Sequence, residues 1–298
     1  MFANHISDKT ELWRIFFGFV IISIFYIVGT IGILSLPVVL GVGYEFGLWS
    51  SELGSTPEAL ALLLLTFLPI WFGVALAMWQ LHSRPLSALY GPQYRVNWRH
   101  FRKCFVWGLL VISAISVVGV LFEIGSVSIN PAGVLDLPKW ALWIIPLVVL
   151  VLIQSGAEEI VFRGYILQNV KASGRSDLWA IYVPSLLFGL LHFDYQSFGN
   201  NAYLYVADTT VFGVLACYVT LRTGNLGAVI GLHLANNSVA MLGFGLDGQM
   251  DGAALFVQSL DLKSAETGLY FILDIIFMSA AYTIYARWDD RRKSAKSA

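Results

Sequence analysis

Eight stretches of about twenty apolar residues recur along this sequence, the fifth of them shorter, and stretches of that length fit a membrane-crossing helix. They fall near 15–42, 58–81, 104–123, 140–170, 178–193, 203–222, 225–245 and 268–287. In hydrocarbon every backbone N–H and C=O must find its partner within the protein, so runs of this length are read as helices. Composition agrees. Charged residues make up 12% of the 298 and hydrophobic ones 57%, whereas a soluble domain carries about 25% charged residues. The reading is an all-α, polytopic membrane protein, a bundle of about eight transmembrane helices forming a single domain over residues 1–298. The fifth run is the shortest, and a complete crossing is least secure there. No internal repeat, low-complexity tract or soluble domain interrupts the pattern. The first apolar run, from Ile15 to about Val42, is far longer than the 7–15 residues of a signal-peptide core, so it is expected to remain as the first span.

The net charge of −1 hides an uneven distribution that bears on topology. Arg84, Arg95, Arg99, Arg102 and Lys103 follow the second span, Lys171 and Arg175 the fourth, and Arg222 ends the sixth. Arg287, Arg291, Arg292, Lys293 and Lys296 close the chain. The alternate connections, 43–57, 124–139, 194–202 and 246–267, hold only Lys139 and Lys263. Basic loops stay cytoplasmic, and eight spans with both termini in the cytoplasm put every basic cluster on that side. The orientation is that of a bacterial inner membrane or its equivalent. The loop 83–103 mixes arginines with Tyr90, Tyr94, Trp98 and Phe101, as a segment at headgroup depth does. Cys104 and Cys217 sit at or within spans and read as packing residues. No feature points to nucleic acid; the expected partners are the bilayer and a peptide or membrane-associated protein.

Charges at bilayer depth cost about 2.5–3.5 kcal/mol each on insertion scales, so each needs a partner or water. The stretch "GAEEIVFRG", Gly156 to Gly164, places three there. Glu159 and Arg163 are four apart and share a helix face, so they can pair. Glu158 points about 100° away and finds no partner in its own helix. In the fifth run Phe188 and His192 share a face, and in the seventh His233 and Asn237 do. At 1.5 Å per residue, Glu158 lies about 20 Å from the cytoplasmic end of its helix, His192 about 21 Å, His233 about 12 Å and Asn237 about 18 Å. Three helices thus bring polar groups to a similar depth. A carboxylate in an apolar setting is a usable general base for water, and a histidine can relay the proton. His233 and Asn237 are able to donate hydrogen bonds to a developing oxyanion. Taken singly, such residues often do no more than tie membrane helices together.

"EEIVFRGYIL", "SLLFGLLHF" and "RTGNLGAVIGLHLANN" resemble, in the same order, the three signature motifs of the CAAX prenyl protease and bacteriocin-processing (CPBP, or Abi) family of membrane endopeptidases. The resemblance covers about residues 140–245, and the first three spans carry no motif. It implies a glutamate-dependent, metal-independent intramembrane protease without cofactor. In that mechanism Glu158 and His192 activate water, Glu159 and Arg163 hold the site in shape, and His233 with Asn237 stabilises the oxyanion. Members of the family differ in substrate, and some have no established proteolytic activity.

Other features weigh less. Glu158, His192 and His233 form a set that can bind zinc with an open position, but the resemblance favours no metal. Asp208 and Asp274 are expected to cap or to hydrogen-bond between helices. Gly227 to Gly231, "GAVIG", is a small-x-x-x-small pattern that lets helices approach closely. Asp194, Tyr195 and Gln196 are expected to be solvated at the outer end of the fifth span. A non-catalytic assembly or immunity factor that keeps the motif for structure is the alternative reading. A transporter is disfavoured, since the paired halves with broken helices usual in transporters are missing.

Overall fold

The computed structural model describes residues 3, 6, 8–41, 53–121, 126–128 and 137–297. The far ends of the expected first and third spans, and most of the connections 43–57 and 124–139, lie outside these residues.

The protein is a helical bundle. Its helices are α1 (Leu12–Val39), α2 (Pro57–Leu65), α3 (Leu68–His82), α4 (Trp98–Leu121), α5 (Leu137–Glu159), α6 (Leu167–Ala172), α7 (Asp177–Leu190), α8 (Tyr195–Phe198), α9 (Asn201–Thr223), α10 (Gly227–Ser238) and α11 (Ala265–Ser297). Six segments are long and apolar enough to cross a membrane: Leu12–Val39, Pro57–His82, Trp98–Val118, Trp140–Ala172, Asn201–Thr223 and Ala265–Arg291. The remaining two expected spans are shorter. α7 has 14 residues and α10 has 12, about 21 and 18 Å at 1.5 Å per residue, against a hydrocarbon core of about 30 Å. The seventh run continues past α10 in the π segment Val239–Gly243, 12 and 5 residues in turn, and still stays short of twenty. The chain is an all-α polytopic membrane protein whose site joins its longest apolar segment, Trp140–Ala172, to the shorter α7 and α10.

Local chemistry explains the breaks. The segment 57–82 divides at Thr66 and Phe67 because Pro69, in the first turn of α3, has no N–H to continue the ladder from α2. Thr66 turns its hydroxyl back to the Leu63 carbonyl at 2.6 Å. Thr56 caps the start of α2 by accepting from the Ala59 N–H at 3.1 Å. After α5 the ladder widens to π geometry over Ile160–Ile166, and after α10 it does so over Val239–Gly243. Such insertions recur at functional sites.

α10 lies against α4 and α5, and α7 against α9. The close approach of α10 to α4 depends on the "GAVIG" glycines. A Cβ at Gly231 would meet the Phe101 carbonyl oxygen at 2.4 Å, and one at Gly227 the Asn97 carbonyl oxygen at 2.7 Å. Bare backbone on α10 is what lets the two helices touch. α1 and α11 turn large apolar side chains outward, among them Phe16, Ile27, Val28, Ile272 and Ile276. A continuous apolar face of that kind is a lipid contact in a chain of this hydropathy. Three short strands, Ser126–Ser128, Phe244–Leu246 and Phe256–Ser259, form a small sheet with Phe256–Ser259 in the middle, antiparallel to the first and parallel to the second. It joins the connection after α4 to that after α10.

Candidate active site

The buried centre begins with Glu159 and Arg163, both with side chains fully withdrawn from the surface. Glu159 ends α5 and Arg163 lies within the π segment that follows, and they pair at 3.0 Å between Arg163 Nη1 and Glu159 Oε1. The guanidinium carbon lies 4.7 Å from the ring centre of Phe188, 5.7 Å from Phe212 and 5.9 Å from Phe162. Three aromatic faces thus take the place of water around the cation. Arg163 Nε and Nη2 and Glu159 Oε2 have no hydrogen-bond partner among the described residues.

His233 links this pair to Glu158. Its Nδ1 is 2.7 Å from Glu159 Oε1, a short hydrogen bond, and its Nε2 is 3.3 Å from Glu158 Oε2. A carboxylate accepts, so Nδ1 carries a proton and donates it to Glu159. Nε2 faces Glu158 Oε2 across the longer of the two contacts, so one imidazole reaches both carboxylates and stands nearer Glu159.

Asn237, one turn beyond His233 on α10, donates from Nδ2 to Gln154 Oε1 at 2.8 Å. Gln154 is one turn before Glu158 on α5. The two helices therefore meet in two rungs, Glu158 with His233 and Gln154 with Asn237. His192 stands beside them. Its Nδ1 is 2.8 Å from the Phe188 carbonyl oxygen, which fixes Nδ1 as a donor and leaves Nε2 to bear the lone pair in the neutral ring. The Phe188 ring centre is 4.6 Å from that of His192 and 6.2 Å from that of His233. Among the described residues no hydrogen bond joins His192 to Glu158 or His233; the shared phenylalanine ring connects them.

Four of the six residues singled out in the sequence, Glu158, Glu159, Arg163 and His233, thus form one contiguous cluster. Asn237 joins it through Gln154, and His192 through Phe188. Among the described residues no group of three or more His, Cys, Asp or Glu side chains is placed to hold a metal ion.

Residues 139–239 match the family described as Type II CAAX prenyl endopeptidase Rce1-like. Through these residues the chain is similar to the Rce1-like family. The matching segment runs from the start of α5 to the turn after α10 and holds all six residues with Gln154. An uncharacterized protein of Bacillus subtilis (strain 168), YyaK, is 28% identical over 242 residues, 79% of this chain and 79% of the relative. No solved structure matches.

Two polar residues of the Rce1-like segment carry connections that the motif reading passed over. Gln154 lies four residues before Glu158, and that spacing was the available signal. Asn225 ends the quoted "RTGN". Its Nδ2 donates to the carbonyls of Tyr90 at 2.8 Å and Arg95 at 2.9 Å, and its Oδ1 accepts from the N–H groups of Asn97 and Gly227. It pins the loop before α4 to the start of the helix that carries His233. Gly224, just before it, closes α9 in the left-handed conformation at φ +67°, where a side chain would be strained. Other expectations changed. Asp208 is buried, but its Oδ1 makes no hydrogen bond among the described residues, so the expected inter-helix bond is missing at that atom. Asp194 caps α8 by accepting from the Ser197 N–H at 3.0 Å, and its hydrogen bonds to Ser197 hold its carboxyl below the usual range.

Proposed function

We propose that the chain is an intramembrane endopeptidase that hydrolyses a peptide bond of a membrane-associated or prenylated protein or peptide. The observation that carries this reading is the cluster in which His233 contacts both glutamates at the centre of the Rce1-like segment. A structural ion pair alone needs Glu159 and Arg163; it does not need a second, partly exposed carboxylate facing the same imidazole.

In this reading a water lies between Glu158 and His192. Glu158 takes its proton, and the Nε2 lone pair of His192 accepts or relays it. The hydroxide adds to the scissile carbonyl. The oxyanion draws the Nε2 proton of His233 away from Glu158 and takes the second Nδ2 hydrogen of Asn237. Glu159, anchored by Arg163, keeps the His233 ring in place through Nδ1. The leaving amine recovers the proton, so the net change is one water added across one peptide bond. No metal enters these steps. The water reaches the site from the cytoplasmic ends of α5, α7 and α10, in an inner membrane with both termini cytoplasmic.

Purified protein in proteoliposomes, given a farnesylated CAAX-type peptide, tests the reading. Cleavage is expected from the wild type and is expected to fall by about 10²–10⁴ in Glu158→Gln, the usual contribution of a general base. A chelator is expected to leave the rate unchanged; loss restored by zinc would overturn the metal-free step. Equal turnover in wild type and Glu158→Gln would leave the chain a non-catalytic assembly or immunity factor.

A further inference from the structure

We infer that Gln154 is a catalytic residue of this site, its side-chain amide donating a hydrogen bond to the carbonyl under attack. The inference rests on the endopeptidase reading above.

Hydrogen-bond directions decide which end of the amide faces the site. Asn236 Nδ2 donates to Asn237 Oδ1 at 3.1 Å, Asn237 Nδ2 donates to Gln154 Oε1 at 2.8 Å, and Ser155 Oγ donates to the same oxygen at 3.1 Å. With its head alone reversed, Gln154 would set an NH2 group against the NH2 group of Asn237; as this network runs, Oε1 faces Asn237. Nε2 is left pointing the other way with two N–H bonds. It makes no hydrogen bond among the described residues, and it is not one of the enclosed unpartnered atoms, so it keeps accessible surface although the residue is only 5% exposed. A polar atom held in this way, on a residue otherwise packed in the core, is free for a visiting acceptor.

Position and polarity point to the same use. Gln154 and Glu158 are one turn apart on one face of α5, and their partners Asn237 and His233 are one turn apart on α10. The rungs are about 6 Å apart at 1.5 Å per residue, so a carbonyl attacked beside Glu158 and served by Asn237 lies within reach of the Gln154 amide. The three amides Asn236, Asn237 and Gln154 run head to tail, and each donation polarises the next. Their free end is Gln154 Nε2. The chain thus ends in a strengthened N–H donor where negative charge develops, the arrangement that stabilises an oxyanion.

Two substitutions separate this role from that of a prop for Asn237. Gln154→Glu keeps the acceptor for Asn237 and Ser155 and removes the donor. Gln154→Met has similar length and shape and removes both. The readouts are kcat and KM on the farnesylated CAAX-type peptide, with thermal melting as the check of fold and Glu158→Gln as the parallel control. Both Gln154 variants are expected to melt within a few degrees of wild type and to lose about 10²–10³ in kcat, the usual effect of one oxyanion donor, with KM changed only a few-fold. Wild-type kcat in folded Gln154→Glu, with or without loss in Gln154→Met, overturns the inference, the latter pattern marking a prop. If Glu158→Gln turns over as fast as wild type, the endopeptidase reading has failed instead. Loss in Glu158→Gln beside normal turnover in Gln154→Glu rejects the role of Gln154 alone.

Discussion

At the scale of single residues, Glu158 and Glu159 are neighbours in sequence with opposite surroundings. Glu159 is sealed from solvent and held by Arg163 and His233, while Glu158 keeps 14% of its side-chain surface and a single long contact to His233. Removing the Arg163 guanidinium leaves the fully buried Glu159 without its countercharge. Breaking a buried pair typically costs about 3–5 kcal/mol, so Arg163→Ala is expected to lower both the melting temperature and the folded yield. Glu158→Gln keeps the shape and is expected to melt near wild type while losing turnover. Equal destabilisation in both, measured by thermal melting in the same detergent, would show that the two glutamates do not divide the work in this way. The sequence made this division legible because four-residue spacing on a helix assigns Arg163 to Glu159 and leaves Glu158 over. It did not disclose that His233 spans both carboxylates, since contacts between helices depend on how the helices are rotated against each other, which spacing within one helix does not set.

At the scale of elements, the turn that ends the shorter helix α7 carries His192 and the shorter helix α10 carries His233 and Asn237, with the long apolar helices beside them. Apolar length is easily read from a sequence, so the six long segments were legible. The π segments at Ile160–Ile166 and Val239–Gly243 were not, because each is a one-residue change of hydrogen-bond register that no residue type in "IVFRGYI" or "VAMLG" dictates. The packing of α10 was legible in part: "GAVIG" announced a close neighbour but not which one. That neighbour is α4, whose Phe101 carbonyl occupies the space a Gly231 side chain would need. Gly231→Val is therefore expected to push α10 away from α4. The stability loss should be at least the roughly 1–3 kcal/mol usual for overpacking, and turnover should fall because His233 and Asn237 move with the helix. A variant that melts and cleaves like wild type would mean that this approach does not position the site.

At the scale of the whole molecule, the basic clusters that the sequence separates by up to two hundred residues come together at one end of the bundle. Arg84 Nη2 donates to Asn169 Oδ1 near the end of α6 at 2.6 Å, and Arg14 Nη1 to the Leu81 carbonyl at the end of α3 at 2.7 Å. Asn225 holds the loop through Tyr90 and Arg95 to the junction of α9 and α10. Arg222, at the end of α9, pairs with Asp289 at 2.9 Å and with Asp290 near the end of α11. The opposite connections gather at the other end, where the Gly252 N–H meets the Gly54 carbonyl at 2.9 Å, Trp140 Nε1 the Ala253 carbonyl at 3.1 Å, and Asn201 Nδ2 the Leu262 carbonyl at 2.9 Å. By the positive-inside rule an end that collects this much positive charge is expected in the cytoplasm, and with it Lys9, Arg84, Arg95, Arg175, Arg222 and the C-terminal tail. With Cys104 and Cys217 replaced by serine, a cysteine introduced at Ser297 or at Arg95 in an intact bacterial host is then expected to resist an impermeant maleimide until the membrane is opened. One introduced at Asp251 is expected to react at once. Reaction at Ser297 from outside in intact cells would invert the molecule, and with it the side from which water and substrate are expected to reach Glu158.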